Sequence, residues 1–206
     1  MNEFDEKAKT WDTQPDRQHR TQVIAEAISN EIPFDPTFTA MEYGCGTGLL
    51  SFPLKDRFAG ITLIDSSQGM LDVVREKIER DKVKNMDVLN LDLLESPDCI
   101  SRSFSVIYCS MVLHHVKDVQ KILTIWYSLL NSPGYLCIAD LDLDNGLFHG
   151  AEFKGHNGFD RKELEGFAQK AGFSSVRFRT VYEITKEVRD GRMHTFPMFL
   201  MTCMKF

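Results

Sequence analysis

Ala40-Met41-Glu42-Tyr43-Gly44-Cys45-Gly46-Thr47-Gly48-Leu49-Leu50 is a short apolar run that ends in an acidic residue and a glycine-packed turn, with a helix-compatible run behind it. Glycine lets a backbone turn tightly between strand and helix, and it leaves no Cβ to hold a ligand away from the peptide groups. The spacing is G-x-G-x-G, and Leu49 stands where the dinucleotide fingerprint G-x-G-x-x-G wants its third glycine. Glu42 separates two cofactor classes further. A pyrophosphate gains nothing from a carboxylate at that place, whereas a ligand carrying an ammonium group does.

Gly60-Ile61-Thr62-Leu63-Ile64-Asp65 reads as a second buried strand ending in a carboxylate. It lies about 20 residues beyond the glycines, where a ribose diol is gripped in both classes. With these two strands the chain resembles the class I, Rossmann-like S-adenosylmethionine-dependent methyltransferases, whose E/D-x-G-x-G-x-G loop holds the methionine portion and whose second-strand acid binds the ribose hydroxyls. Val88-Leu89-Asn90-Leu91-Asp92-Leu93-Leu94 is similar to that family's third strand and adenine-contacting loop, and Phe104 to His115 to its fourth strand and following loop. Pro133 to Asp140 is similar to the fifth strand, and Gly158 to Leu164 with Ala171-Gly172-Phe173 to a late helix.

In order and spacing the resemblance covers residues 38 to 206. It implies a three-layer α/β sandwich with a mostly parallel seven-stranded sheet and an antiparallel C-terminal strand. It also implies that S-adenosylmethionine is held by Glu42, Gly44, Cys45, Gly46, Gly48, Asp65, Ser66, Met70, Asp92, Leu93 and Cys109. Cys109-Ser110-Met111-Val112 stands where related enzymes carry N/D-P-P-Y, which argues against adenine and glutamine as acceptors.

The chain has 206 residues, 43% hydrophobic and 26% charged, with a formal net charge of −6. That is ordinary for one soluble globular domain, and it offers no general attraction to a polyanion. No stretch has the length of a membrane span, and the N-terminal residues lack the apolar core of a signal peptide. The expectation is a cytoplasmic protein with no nucleic-acid or membrane partner. Cys45, Cys99, Cys109, Cys137 and Cys203 are scattered, mostly in apolar runs, and read as small reduced core residues. Neither CxxC nor H-x-x-x-H occurs, so no metal is expected.

Val23, Ile24, Ala27 and Ile28 recur at helical spacing between Asp16 and Glu31. Met70, Val73, Val74 and Ile78 do the same after the second strand, and Val119, Ile122, Leu123 and Trp126 before the Pro133-Gly134 turn. Alternating strands and helices favour a parallel sheet covered on both faces. Asp160 with Glu163 opens a late helix and Gly172 closes it. The runs Ser175 to Ile184 and Phe196 to Met204, separated by a charged turn, predict a terminal antiparallel hairpin. The whole, residues 1–206, reads as a single domain whose residues 1–35 form an N-terminal helical segment. Phe4 and Trp11 in that segment need burial, which either a lid that orders over bound cofactor or an arm docked permanently on the core would provide.

His114 and His115 sit on the carboxyl-end rim after the fourth strand, where one can act as a general base or both can simply pack the loop. His156 either faces the acceptor or lies in solvent. Tyr182 and Lys186 spell Y-x-x-x-K but fall on a β-branched strand and its exit turn, not on a dehydrogenase helix, and read as coincidence. The sequence thus points to a methyltransferase acting on a small-molecule O, N, S or C nucleophile. A non-catalytic S-adenosylmethionine-binding protein that works through partners stays open as an alternative. A nicotinamide-dependent oxidoreductase is disfavoured by Glu42, Leu49 and the terminal hairpin.

Overall fold

A computed structural model describes residues 3–33 and 35–206; residues 1, 2 and 34 of the expected N-terminal segment lie outside the described residues. In chain order the elements are α1 (Glu3–Lys7), α2 (Pro15–Glu31), β1 (Thr39–Tyr43), α3 (Ser51–Leu54), β2 (Gly60–Asp65), α4 (Gln68–Arg80) and β3 (Met86–Asn90). There follow β4 (Phe104–Ser110), α5 (Val119–Leu129), β5 (Leu130–Leu141), α6 (Arg161–Ala171), β6 (Ser174–Glu187) and β7 (Met193–Lys205).

The seven strands form one sheet in the order β3-β2-β1-β4-β5-β7-β6. β1 pairs in parallel with both β2 and β4, β2 with β3, and β4 with β5, whereas β7 runs antiparallel to β5 and β6. The expected hairpin is therefore present, with longer strands than the two apolar runs indicated. Strand order reverses between β1 and β4, and the crevice outside the carboxyl ends at such a reversal is where open α/β sheets bind ligands.

Both faces are apolar because each central strand alternates between two cores. Met41, Ile107, Ile138 and Phe199 point to one side, where α5 and α6 bring Ile122, Trp126 and Leu164. Ala40, Val106, Tyr108 and Met198 point to the other, where α2 and α4 bring Ile24, Ile28, Leu71 and Val74. Each fully buried isoleucine or leucine stabilises the fold by about 1.5–3 kcal/mol. Asp160 caps α6 by accepting from the Lys162 and Glu163 amides, and Gly172 ends it at φ 108°.

Two local details differ from the sequence reading. The run after the glycine loop forms only the single helical turn α3, which contains Pro53 and passes into a 3-10 turn at Lys55–Arg57. Cys45, Cys109, Cys137 and Cys203 are buried free thiols as expected, but Cys99 is exposed, because its turn at Pro97–Cys99 lies outside both cores. Among the described residues, no helix is long and apolar enough to cross a membrane.

Candidate active site

At the carboxyl end of β1 the chain turns through Gly44, Gly46 and Gly48, with φ of 64°, 52° and 77°. All three lie in the left-handed region that favours glycine. Their surroundings differ. A Cβ at Gly44 would lie 2.5 Å from Val112, so this glycine is required by packing against the loop after β4. At Gly46 the nearest atoms to a Cβ are the Trp11 Nε1 at 3.9 Å and the Met70 sulfur at 4.0 Å, which leaves a seat above bare backbone.

Asp65, at the end of β2, ties this loop to the start of α4. Its two carboxylate oxygens accept from the Gly46 amide and the Ser67 amide, each at 2.8 Å. Burial pushes its pKa up, and those backbone bonds oppose the shift. A carboxylate has about four lone-pair sites, so these backbone donors leave room for a ligand hydroxyl. Exposed Ser66 and buried Met70 stand on the same turn. Asp92, beyond β3, is exposed and accepts from the Leu94 amide at 2.9 Å, while Leu93 is buried beside it. These residues form one continuous rim across β1, β2 and β3.

Glu42 and Cys109 are placed differently. Glu42 is only 3% exposed and accepts a hydrogen bond from Ser51, whose hydroxyl also bonds Tyr108 at 2.6 Å. Burial raises its pKa to about 8, against the opposing effect of Ser51. The carboxyl thus braces the loop from inside the protein. Cys109 is fully buried in β4 within the α5–α6 core.

The N-terminal segment lies over this rim. Asp5 accepts from the Ser67 hydroxyl at 2.6 Å and the Gly69 amide at 3.0 Å, at the start of α4. Gly69 permits that approach, since a Cβ there would stand 2.9 Å from the Asp5 Cα. Asp12 accepts from Thr47 Oγ1 at 2.5 Å and from Lys77 Nζ at 3.0 Å, and Lys77 also donates to the Thr47 carbonyl at 2.8 Å. Trp11 caps the glycine loop, with the Arg17 guanidinium 3.8 Å from its ring centre. Phe4 meets both Trp11 and His115 edge-on, at 5.9 and 5.5 Å.

The adjoining half of the rim, above β4 and β5, is a cluster of imidazoles and phenyl rings. His114 is 1% exposed, and its Nδ1 lies 2.7 Å from Asp140, itself fully buried at the end of β5. His115 is exposed and packs edge-on against Phe153. His149 stacks on Phe153 at 3.9 Å, and its buried Nε2 has no hydrogen-bond partner among the described residues. Burial first, then the neighbouring His114 and His115, lower its pKa to about 4, so the ring is neutral at pH 7. His156 bonds the Val116 carbonyl at 3.0 Å and thereby ties the loop after β5 to the loop after β4. Tyr182 and Lys186 both lie on β6, and the Lys186 ammonium donates to the Phe148 carbonyl. Among the described residues, no group of three or more His, Cys, Asp and Glu is arranged to hold a metal ion.

Asp5, Asp12, Ser67, Lys77 and His149 were not singled out by the sequence reading. Asp140 did carry a signal: an acid closing an otherwise apolar strand. His149 carried none, because its position comes from a loop whose path depends on the rings around it.

Residues 41–136 match the family model described as a methyltransferase domain. An uncharacterized methyltransferase of Schizosaccharomyces pombe is 36% identical over 116 residues, which is 53% of this chain and 41% of that protein. The malonyl-[acyl-carrier protein] O-methyltransferase of Priestia megaterium is 27% identical over 183 residues, 82% of this chain and 65% of its own length. The chain therefore spans about two fifths to two thirds of these relatives. Among solved structures, magnesium protoporphyrin IX methyltransferase of Synechocystis with bound S-adenosylhomocysteine superposes with a TM-score of 0.69 at 18% identity, covering 92% of this chain and 83% of the other.

Proposed function

We propose that this chain, which is similar to methyltransferases over residues 41–136 and in its fold, transfers a methyl group from S-adenosylmethionine to a small-molecule nucleophile. The observation that carries this reading is the open seat above Gly46, bounded by Asp65 on one side and Trp11 on the other. The Gly44–Gly48 backbone would hold the methionine portion, Asp65 the ribose hydroxyls, and Asp92 the adenine amino group. S-adenosylmethionine bound there supplies a methyl group already activated by its sulfonium.

The protein's part is then placement and exclusion of water more than proton transfer. Glu42 braces the loop through Ser51. Asp5 and Asp12 hold the N-terminal segment across the cofactor as a lid, and Trp11 shields the loop. The rings of His115, His149 and Phe153 wall the acceptor side. A small acceptor is also in keeping with the O-methyltransferases of ubiquinone biosynthesis among the relatives. Calorimetry with S-adenosylhomocysteine and with NAD tests the cofactor: binding of the first only is expected, and Asp65→Ala should weaken it about tenfold or more, since bonds to a charged group are worth roughly 1.5–3 kcal/mol. Preference for NAD, or undiminished affinity in a folded Asp65→Ala variant, rejects the reading. Labelled methyl transfer into a metabolite extract then tests catalysis.

A further inference from the structure

Arg20 is a cation that the cofactor reading does not use. It stands one turn before Ile24 on α2, so it extends the core-facing stripe of Ile24, Ala27 and Ile28 toward the N-terminal end of the helix. That end lies at the carboxyl rim of the sheet: α2 returns to the opposite edge before β1 begins, and there Glu31 meets Arg179, early in β6, at 3.8 Å. Arg20 is half-buried, and among the described residues no hydrogen bond or ion pair engages its guanidinium.

The neighbouring cations are committed. Arg17 donates to the Trp11 carbonyl at 2.5 Å and stacks on that ring. Lys186 is tied to the Phe148 carbonyl and lies 3.9 Å from the ring centre of the same residue. Burial and the like charge of Arg17 both weaken the hold of Arg20 on its proton, with Tyr182 and Asp16 opposing them. Tyr182, close enough to Arg20 to act on its charge, shares one face of the β6–β7 hairpin with Ile184 and Phe196, and Phe148 lies edge-on to Phe196 at 5.1 Å. A half-buried guanidinium that no acceptor among the described residues engages, toward the carboxyl rim of the sheet, presents a fork of donors that fits a planar anion.

We propose that Arg20 is the anion-recognition residue of the acceptor pocket, and that the acceptor is a carboxylate borne on an apolar or aromatic body. This rests on the methyltransferase reading. A carboxylate fits better than a phosphate, because one uncommitted guanidinium matches a single negative charge and two coplanar oxygens. A phosphate dianion calls for further cations, and Arg17 and Lys186 are already engaged. Arg20 acts by positioning the acceptor.

The probes are benzoate, cinnamate and octanoate, each beside its amide, together with phenyl phosphate. Dissociation constants are measured by ligand-observed NMR on the full chain saturated with S-adenosylhomocysteine. At least one acid should bind the wild type about tenfold or more tightly than its amide. Arg20→Met should abolish that preference while its affinity for S-adenosylhomocysteine is unchanged, and Arg20→Lys, which keeps the charge but not the fork, should retain only part of it. Where the methionine variant does not fold, the lysine variant decides. Acids binding no better than amides, or full acid preference in the folded variants, overturns the proposal, as does phenyl phosphate binding more tightly than every carboxylate. Failure of S-adenosylhomocysteine to bind the wild type refutes the cofactor reading instead, and is seen in the first titration.

Discussion

Asp12→Ala should loosen the lid by removing its anchor to Thr47 and Lys77, with every residue of the glycine loop left unsubstituted. In the wild type this carboxylate accepts from Thr47 Oγ1 and from Lys77 Nζ, with side-chain exposures of 30% for Asp12 and 14% for Lys77. Bonds to a charged group are worth about 1.5–3 kcal/mol each, but partial exposure screens the ion pair, and Thr47 and Lys77 regain water when the partner is lost. A net weakening of about 2 kcal/mol is reasonable, and at 1.4 kcal/mol per tenfold it raises the open population about 30-fold. Proteolysis follows that population when closing is faster than cleavage. Trypsin at low concentration should therefore cut at Lys7, Lys9 or Arg17 about 30 times faster in the variant. S-adenosylhomocysteine should suppress cleavage in the wild type and do so less in the variant. Rates within threefold of each other, or cleavage indifferent to the ligand, would refute the lid.

Gly46→Val should lose at least tenfold in S-adenosylhomocysteine affinity, because a branched side chain fills the seat beside Trp11 and strains a residue at φ 52°; calorimetry with wild-type affinity would count against the seat. Asp140→Ala removes a buried acceptor from the His114 ring, the His114 amide and the Leu141 amide, and should cost about 3 kcal/mol or more, a fall in Tm of about 6–12 °C; a shift of under about 2 °C in scanning calorimetry would show that the buried pair contributes little. Glu42 has its pKa raised from 4.5 to about 8, so above 4.5 it ionises in the unfolded chain before it does in the fold, and its contribution to stability is lost as pH rises through that window. Glu42→Gln should flatten the fall in urea-unfolding free energy between pH 4.5 and 8, and an unchanged slope would place the titration elsewhere.

The glycine spacing, the acids closing the first two strands and the alternation of apolar strands with helical stripes were sufficient for the layered sheet and its terminal hairpin. These are local patterns with a direct backbone meaning: a period of two or of 3.6, and a turn that only glycine enters easily. Helix limits were also legible where caps stood in the chain, as Asp160 and Gly172 do for α6. Less was legible at the site. Gly44 reads like a cofactor glycine, yet its Cβ space is filled by Val112 from the loop after β4, about seventy residues further along the chain. Glu42 reads as a ligand-facing acid, yet it is turned toward Ser51 beneath the loop.

By itself, then, the sequence determined the fold, the glycine turn after β1 and the carboxylate that closes β2 at Asp65, because each is written in neighbouring residues. Only the tertiary structure decided that Asp5 and Asp12 of the N-terminal segment reach Ser67, Gly69, Thr47 and Lys77, and that Asp140 holds His114 while His149 stacks on Phe153. It alone showed Arg20 with no hydrogen-bond or ion-pair partner among the described residues. Such pairings join side chains brought to one rim by the strand order, and the order in which strands lie in a sheet has no local signature: it is set by how all the apolar faces bury one another at once.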